Sequence, residues 1–122
     1  MAKVLIVDDS ETLRHQLKRD LEAAGHTVVE AVDGADGLEK FQGRQDLELI
    51  LCDVNMPNMD GLTMVSKLAA ALKAKNIPVF MLTTEASAEM KARAKESGVR
   101  AWITKPYIAE KLISAIQKVL SK

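Results

Sequence analysis

Two kinds of segment alternate along the whole of this chain: short runs of β-branched and aliphatic residues, and longer stretches in which apolar residues recur every three or four positions. Strands joined by helical crossovers pair in parallel, so the pattern predicts a parallel α/β sheet with helices packed on it. Strands are expected over Lys3 to Val7, Thr27 to Val32, Leu47 to Cys52, Pro78 to Leu82 and Arg100 to Ile103, bounded by Gly25, Gly34, Gly98 and prolines. The first helix sets Leu13, Leu17 and Leu21 on one face, the third Leu62, Val65, Leu68 and Leu72, and the last Ile108, Leu112, Ile116 and Leu120. A short second helix is expected over Ala35 to Phe41. The fourth, Ala86 to Ser97, offers little beyond alanines and Met90 for packing, so it is expected to be loosely held.

A chain of 122 residues fits one compact domain, and no linker, repeat or low-complexity segment interrupts it. The expectation is a single domain over 1–122 with no output domain. Lysine plus arginine and aspartate plus glutamate number 17 each, which leaves no positive excess to gather phosphate contacts along DNA or RNA. Apolar runs such as Val79 to Leu82 fall far short of the roughly 20 residues a spanning helix needs, and the opening Met1-Ala2-Lys3 starts no signal-peptide core. A soluble, cytoplasmic monomer is expected. The lone Cys52 lies inside the run Leu49 to Cys52 and reads as a small core residue.

In open parallel sheets ligand sites form beyond the carboxyl ends of the strands. Strand one ends in Asp8 and Asp9, strand three in Asp53, strand four in Thr83 and Thr84, and strand five in Thr104 and Lys105. Strand two ends in Asp33-Gly34, which reads as an ordinary turn and helix start. Three carboxylates brought to one edge repel one another, and either raised pKa values or a bound cation relieves them. Oxygen ligands in a shallow site suit Mg²⁺, which keeps several waters and takes one or two carboxylates plus phosphate oxygens. Asp53 is then the candidate nucleophile toward a phosphoryl group, Lys105 the cation for its equatorial oxygens, and Thr83 a hydroxyl donor to it. Each residue also has a plainer role: Asp9 or Ser10 as a helix cap, Asp53 as a turn residue before Pro57, Thr83 or Thr84 as a cap, Lys105 as a solvated lysine. Taken singly those roles are the better bets; the coincidence at four neighbouring strand ends is what favours chemistry.

At these residues the sequence resembles the receiver domain of bacterial two-component response regulators, and among them the stand-alone chemotaxis regulators. The match covers essentially the whole chain and is most specific at VLIVDDS, CDVNMPNMDG, PVFMLTTEA and AWITKPY. The resemblance, rather than any periodicity, implies a flavodoxin-like (βα)5 fold with strand order 2-1-3-4-5. It also implies that Asp53 is the phosphoacceptor and that Asp8, Asp9, Asp53 and the backbone carbonyl of Asn55 hold Mg²⁺, Asp9 directly and Asp8 largely through water, with Mn²⁺ able to substitute. Thr83 resembles the switch hydroxyl, Lys105 the phosphate-binding lysine ahead of a cis bond to Pro106, and Trp102 the switch aromatic. Close chemotaxis regulators often carry tryptophan after the phosphorylated aspartate and tyrosine at the switch, where this chain has Val54 and Trp102. Thr84 is larger than the alanine or glycine common there and is expected to crowd the hydrolytic water.

The function so implied is a phosphoacceptor and signalling switch rather than an enzyme, with self-catalysed phosphotransfer and dephosphorylation only. A CheA-like histidine kinase would phosphorylate Asp53, and helix four, strand five and helix five would then engage a target such as the flagellar motor switch. The alternative is a phosphorelay intermediate that passes the group from Asp53 to a histidine phosphotransfer protein. A haloacid-dehalogenase-type phosphatase would want an aspartate where Asn55 stands, and Asp8 and Asp9 would repel the phosphate of FMN. His15 and His26 lack ligand spacing, and Met56 and Met59 read as loop packing.

Overall fold

The structure is a computed structural model and describes residues 2–84 and 87–121. Five strands, β1 (Lys3–Val7), β2 (Thr27–Ala31), β3 (Leu49–Asp53), β4 (Val79–Thr83) and β5 (Val99–Thr104), alternate with helices α1 (Glu11–Ala23), α2 (Gly34–Gln42), α3 (Gly61–Lys75), α4 (Ala88–Ala94) and α5 (Ala109–Leu120). All strand pairs are parallel and the sheet order is β2-β1-β3-β4-β5, the flavodoxin-like arrangement that the family resemblance implies.

The central strands are apolar on both faces because helices cover both. Leu5, Val7, Ile50, Cys52, Val79 and Met81 face one layer, with Leu62, Val65, Leu68 and Leu72 of α3 and Ala94 of α4. Val4, Ile6, Leu49, Leu51, Phe80 and Leu82 face the other, with Leu17 and Leu21 of α1 and Leu112 and Ile116 of α5. Each of the valine, leucine, isoleucine, methionine and phenylalanine side chains among them contributes roughly 1.5–3 kcal/mol by leaving water. The alternation also fixes direction at the strand ends: Thr83 continues the Val79 and Met81 side, and Trp102 leaves β5 toward that same layer.

Several boundaries depart from the periodicity. β3 and β4 run one residue further than expected, so Asp53 and Thr83 are the last residues of strands rather than the first of loops. β3 starts only at Leu49, with Leu47 buried ahead of it. Pro78 lacks an N–H and precedes β4, although its carbonyl still accepts Ile50 N–H at 3.1 Å. β2 stops at Ala31 because the Val32 N–H donates to the Asp36 carboxylate at 2.9 Å instead of continuing the ladder. β5 is longer at both ends, and α2 gains one residue at each end. Ile108 does not cover the sheet: it occupies the N-cap position of α5 and is 56% exposed. α4 is shorter than expected and passes into a 3-10 turn at Lys95–Ser97, with Gly98 closing it at φ 95°, where a side chain would be strained. The expected first residue of α4, Ala86, lies outside the described residues. The apolar anchorage of α4 consists of buried Ala94 and half-buried Met90.

Candidate functional site

Local hydrogen bonds decide which side chains at the sheet's carboxyl edge remain for chemistry. Ser10, not Asp9, caps α1, its Oγ accepting Leu13 N–H at 3.2 Å. Ser87, not Thr83 or Thr84, caps α4, accepting Met90 N–H at 3.1 Å. The Asp9 carboxylate is exposed, and the Asp8 carboxylate accepts Ser10 N–H at 2.8 Å through Oδ1. The backbone of Asp8 is held from two sides, its N–H donating to Ala31 at 3.1 Å and its carbonyl accepting from Arg14 Nη1 at 2.6 Å.

One oxygen each of Asp8, Asp9 and Asp53 lies within 4.8 Å of the others. Asp8 and Asp53 are buried, at 1% and 6% exposure. Lys105 reaches this cluster from β5: its N–H donates to the Thr83 carbonyl at 2.8 Å, and its bond to Pro106 is cis. The ammonium Nζ stands 3.1 Å from Asp8 Oδ2 and 3.3 Å from Asp53 Oδ1. Asp53 Oδ1 also accepts Val54 N–H at 2.9 Å. The sequence therefore predicts a constellation that the fold does assemble: Asp8, Asp9, Asp53 and Lys105 share one pocket, buried Thr83 ends the strand beside Asp53, and Asn55 follows on an exposed loop.

Burial holds the Asp53 carboxyl above its ordinary range, the Asp8 charge adds to this, and Lys105 opposes it. Burial pulls the Lys105 ammonium down, but Asp8 and then Asp53 more than offset this and leave it above the usual lysine value. One ammonium among three carboxylates leaves the pocket net negative, and every acidic ligand atom in it is oxygen. That donor set and its unrelieved repulsion fit a hard cation such as Mg²⁺.

The close approach of α3 to β3 demands glycine at Gly61, where a Cβ would run into the Asp53 carbonyl oxygen and stand 2.8 Å from Cys52 Sγ. Cys52 itself is fully buried and its thiol is pushed well up by burial, so it is a core residue. Met56 and Met59 pack against the α3-side core. His15 is exposed on α1, and His26 is buried at the opposite edge of the sheet, where its Nδ1 accepts Ala2 N–H at 3.1 Å.

Four residues near the site escaped the sequence reading. Gly61 stands inside the motif CDVNMPNMDG, but its role depends on how closely α3 packs. Arg14 looks like one more basic residue of α1, yet it is buried and joins the Asp8 carbonyl to Glu30, 3.3 Å from its Nε. Asp33 does start α2, accepting Asp36 N–H at 2.8 Å, but its other oxygen takes Asn58 Nδ2 at 2.7 Å from across the edge. No local signal marks a bond between residues so far apart in sequence.

A flavodoxin-like sheet with an acidic pocket and a lysine over its third strand defines a class, that of aspartate-centred receiver domains. The chain belongs to the response regulator receiver domain family, whose model matches residues 4–117. It is a signalling phosphoacceptor of that family rather than a true enzyme. It is 37% identical over 119 residues to the chemotaxis protein CheY1 of Helicobacter pylori, a span covering 97% of this chain and 96% of that one. The structure of the chemotaxis protein CheY4 of Vibrio cholerae superposes with a TM-score of 0.90 at 41% identity, covering 98% of this chain and 99% of that one. A CheY of Borrelia burgdorferi, solved in a CheX-CheY-BeF₃-Mg²⁺ complex, gives 0.90 at 27% identity, covering 99% and 90%. Among the described residues no helix is long and apolar enough to cross a membrane.

Proposed function

We propose that this chain is a cytoplasmic chemotaxis-type response regulator, a single receiver domain that takes a phosphoryl group onto Asp53 from the phosphohistidine of a CheA-like kinase. The observation that carries the reading is the placement of the Lys105 ammonium against both Asp8 and Asp53 within the three-carboxylate cluster. An Asp53 carboxylate oxygen forms the new bond to phosphorus as the bond to the histidine nitrogen breaks, and that nitrogen leaves with the electron pair. Lys105 is within reach to shift from the carboxylates to the arriving phosphoryl oxygens, and Thr83 ends β4 one residue past Leu82, the register partner of Asp53, where a hydroxyl can donate to the same group. Asp8, Asp9, Asp53 and the Asn55 carbonyl would hold Mg²⁺, which supplies charge neutralisation at the phosphoryl oxygens when bound. The changed surface at α4, β5 and α5 then engages a partner such as the flagellar motor switch.

The test is intact-mass measurement after treatment with acetyl phosphate. Labelling is expected with Mg²⁺, is lost in excess EDTA and is abolished in Asp53→Asn. Undiminished labelling of Asp53→Asn removes Asp53 from the role. Transfer of the label onward to a purified histidine phosphotransfer protein would favour the relay function over the binding switch.

A further inference from the structure

The loop after β3 carries Asn55, and beyond the packing of Met56 and Met59 on the core little of that loop's own structure holds it in place. Residues 54–60 form no helix or strand; within the loop, Met59 N–H donates to the Pro57 carbonyl at 2.7 Å and Asn58 sits in the left-handed region at φ 67°. Its far end is fixed where Gly61 N–H meets the Val54 carbonyl at 2.9 Å and Asp60 caps α3. Between those points, among the described residues, the hydrogen bonds tying residues 55–59 to any other part of the chain all go to one place, the turn from β2 into α2. There, Asn58 Nδ2 donates to Asp33 Oδ2 at 2.7 Å, and Gly34 N–H donates to the Met59 carbonyl at 3.0 Å. The contact is close enough that a Cβ on Gly34 would stand 2.5 Å from the Met59 oxygen and 2.8 Å from its Cγ. Asp33 is 7% exposed, and its two oxygens have separate tasks, one capping α2 and the other holding Asn58.

We infer that Asp33, acting through Asn58, is a positioning residue of the metal-binding loop: the two-point contact of the β2–α2 turn sets where the Asn55 carbonyl stands relative to Asp8, Asp9 and Asp53. The inference rests on the reading of that pocket as a Mg²⁺ site. The end of β2 therefore belongs to the site although it contributes no ligand. A backbone carbonyl cannot seek an ion by changing rotamer as a carboxylate can, so its place must be set by the loop's anchorage before the ion arrives.

Reversing the polarity of the bond separates positioning from general support of the fold. In Asn58→Asp a carboxylate faces the Asp33 carboxylate, acceptor against acceptor, and neither can turn to offer a donor; the added charge by itself would tighten Mg²⁺, so a loss reports the loop. The double variant Asp33→Asn with Asn58→Asp restores one donor and one acceptor without changing net charge, and aspartate tolerates the left-handed backbone of position 58 nearly as well as asparagine. Mg²⁺ would be titrated calorimetrically into the EDTA-stripped full chain of each variant, with Asp9→Ala as the control for the ion site. Asn58→Asp should weaken Mg²⁺ about tenfold, the low end of what supporting partners of metal ligands contribute, and the double swap should recover most of it. Amide exchange at Met59 and Gly61 in the metal-free protein should quicken in the single variant and slow again in the double. If Asp9→Ala loses the ion while Asn58→Asp binds as tightly as wild type does, or if the swap fails to restore affinity, the positioning role is overturned and the metal site stands. A wild type that takes up no Mg²⁺ overturns both.

Discussion

Lys105 and Asp8, 97 residues apart in sequence, meet through a charged hydrogen bond of 3.1 Å at the carboxyl edge of the sheet. Asp8 is buried and the lysine side chain is mostly so, which makes the pair a fixed part of the pocket rather than a surface ion pair. The same ammonium serves Asp53 at 3.3 Å, so one cation divides its field between two buried carboxylates.

Asp53 is therefore undercompensated in metal-free protein, and replacing it should stabilise the fold. Its folded pKa is raised, mainly by burial and then by Asp8. As pH rises from the ordinary carboxylate value through that raised value, the unfolded chain loses a proton that the folded chain keeps, so stability falls over the window. Asp53→Asn keeps an oxygen for Val54 N–H, leaves Lys105 to Asp8 and lacks this titration. In urea melts with EDTA its midpoint should exceed that of wild type at pH 7, and the gap should close toward pH 4. A midpoint at pH 7 equal to or below wild type would mean that the Lys105 to Asp53 attraction outweighs the repulsion.

His26 should make the fold acid-sensitive from the other edge of the sheet. Its Nδ1 accepts Ala2 N–H, so the neutral ring carries its proton on Nε2, the buried side-chain nitrogen that lacks a hydrogen-bond partner among the described residues. Burial lowers its pKa from 6.5. Below about 6.5 the unfolded chain takes up a proton that the folded chain refuses, so stability falls as pH drops toward the lowered folded value. An imidazole NMR titration should place the His26 midpoint below 6.5; a midpoint above it would reverse the sign.

The sheet, its central strands and the α1 and α3 faces were legible because burial on both sides writes itself as continuous apolar runs and 3.6-residue stripes. Strand ends were less so, since Asp53 and Thr83 end β3 and β4 in the ladder while carrying the polarity of loop residues. Ile108 fits the α5 stripe by spacing alone, but the helix begins only at Ala109 and leaves it in solvent. The clustering of Asp8, Asp9, Asp53 and Lys105 could be read because acidic and basic residues at neighbouring strand ends carry their own signal. Asp33, Asn58, Arg14 and Gly61 could not, because their roles are relations between segments, set by a hydrogen bond across the edge or by the closeness of a helix, and turn chemistry accounts for Asp33 too easily on its own.

Thr84 is exposed and lines a hollow of about 290 Å³ with Lys105, Leu13, Gln16 and Tyr107. The expectation is that a side chain in that position narrows the approach of water to phosphorylated Asp53 without itself being needed for the phosphoryl contacts. Thr84→Ala should shorten the phosphorylated lifetime severalfold, read as loss of mass-tagged protein after the donor is removed. An unchanged or longer lifetime would end the steric argument.

Trp102 is the chain's single tryptophan, and it is expected to report on Thr83 rather than on the carboxylates. Thr83 pairs with Thr104 and Met81 with Trp102, so Thr83 and Trp102 lie diagonally on adjacent strands and face the layer that contains α4. The ring is half-buried against that layer, and Trp102 borders a hollow of about 380 Å³ lined also by Ile108 and Lys111. Mg²⁺ alone gives Thr83 no phosphoryl oxygen, and should leave Trp102 emission nearly unchanged. Beryllofluoride, which mimics the phosphoryl group on Asp53, should draw the Thr83 hydroxyl toward the pocket, open space beneath α4 and shift Trp102 toward its more buried position, with a blue-shifted emission. Thr83→Ala should bind the mimic yet lose most of the spectral response, because the link between pocket and ring has been removed while Asp53 and Lys105 remain. A full response to Mg²⁺ alone, or an equal response to the mimic in Thr83→Ala, would detach Trp102 from the phosphorylation signal.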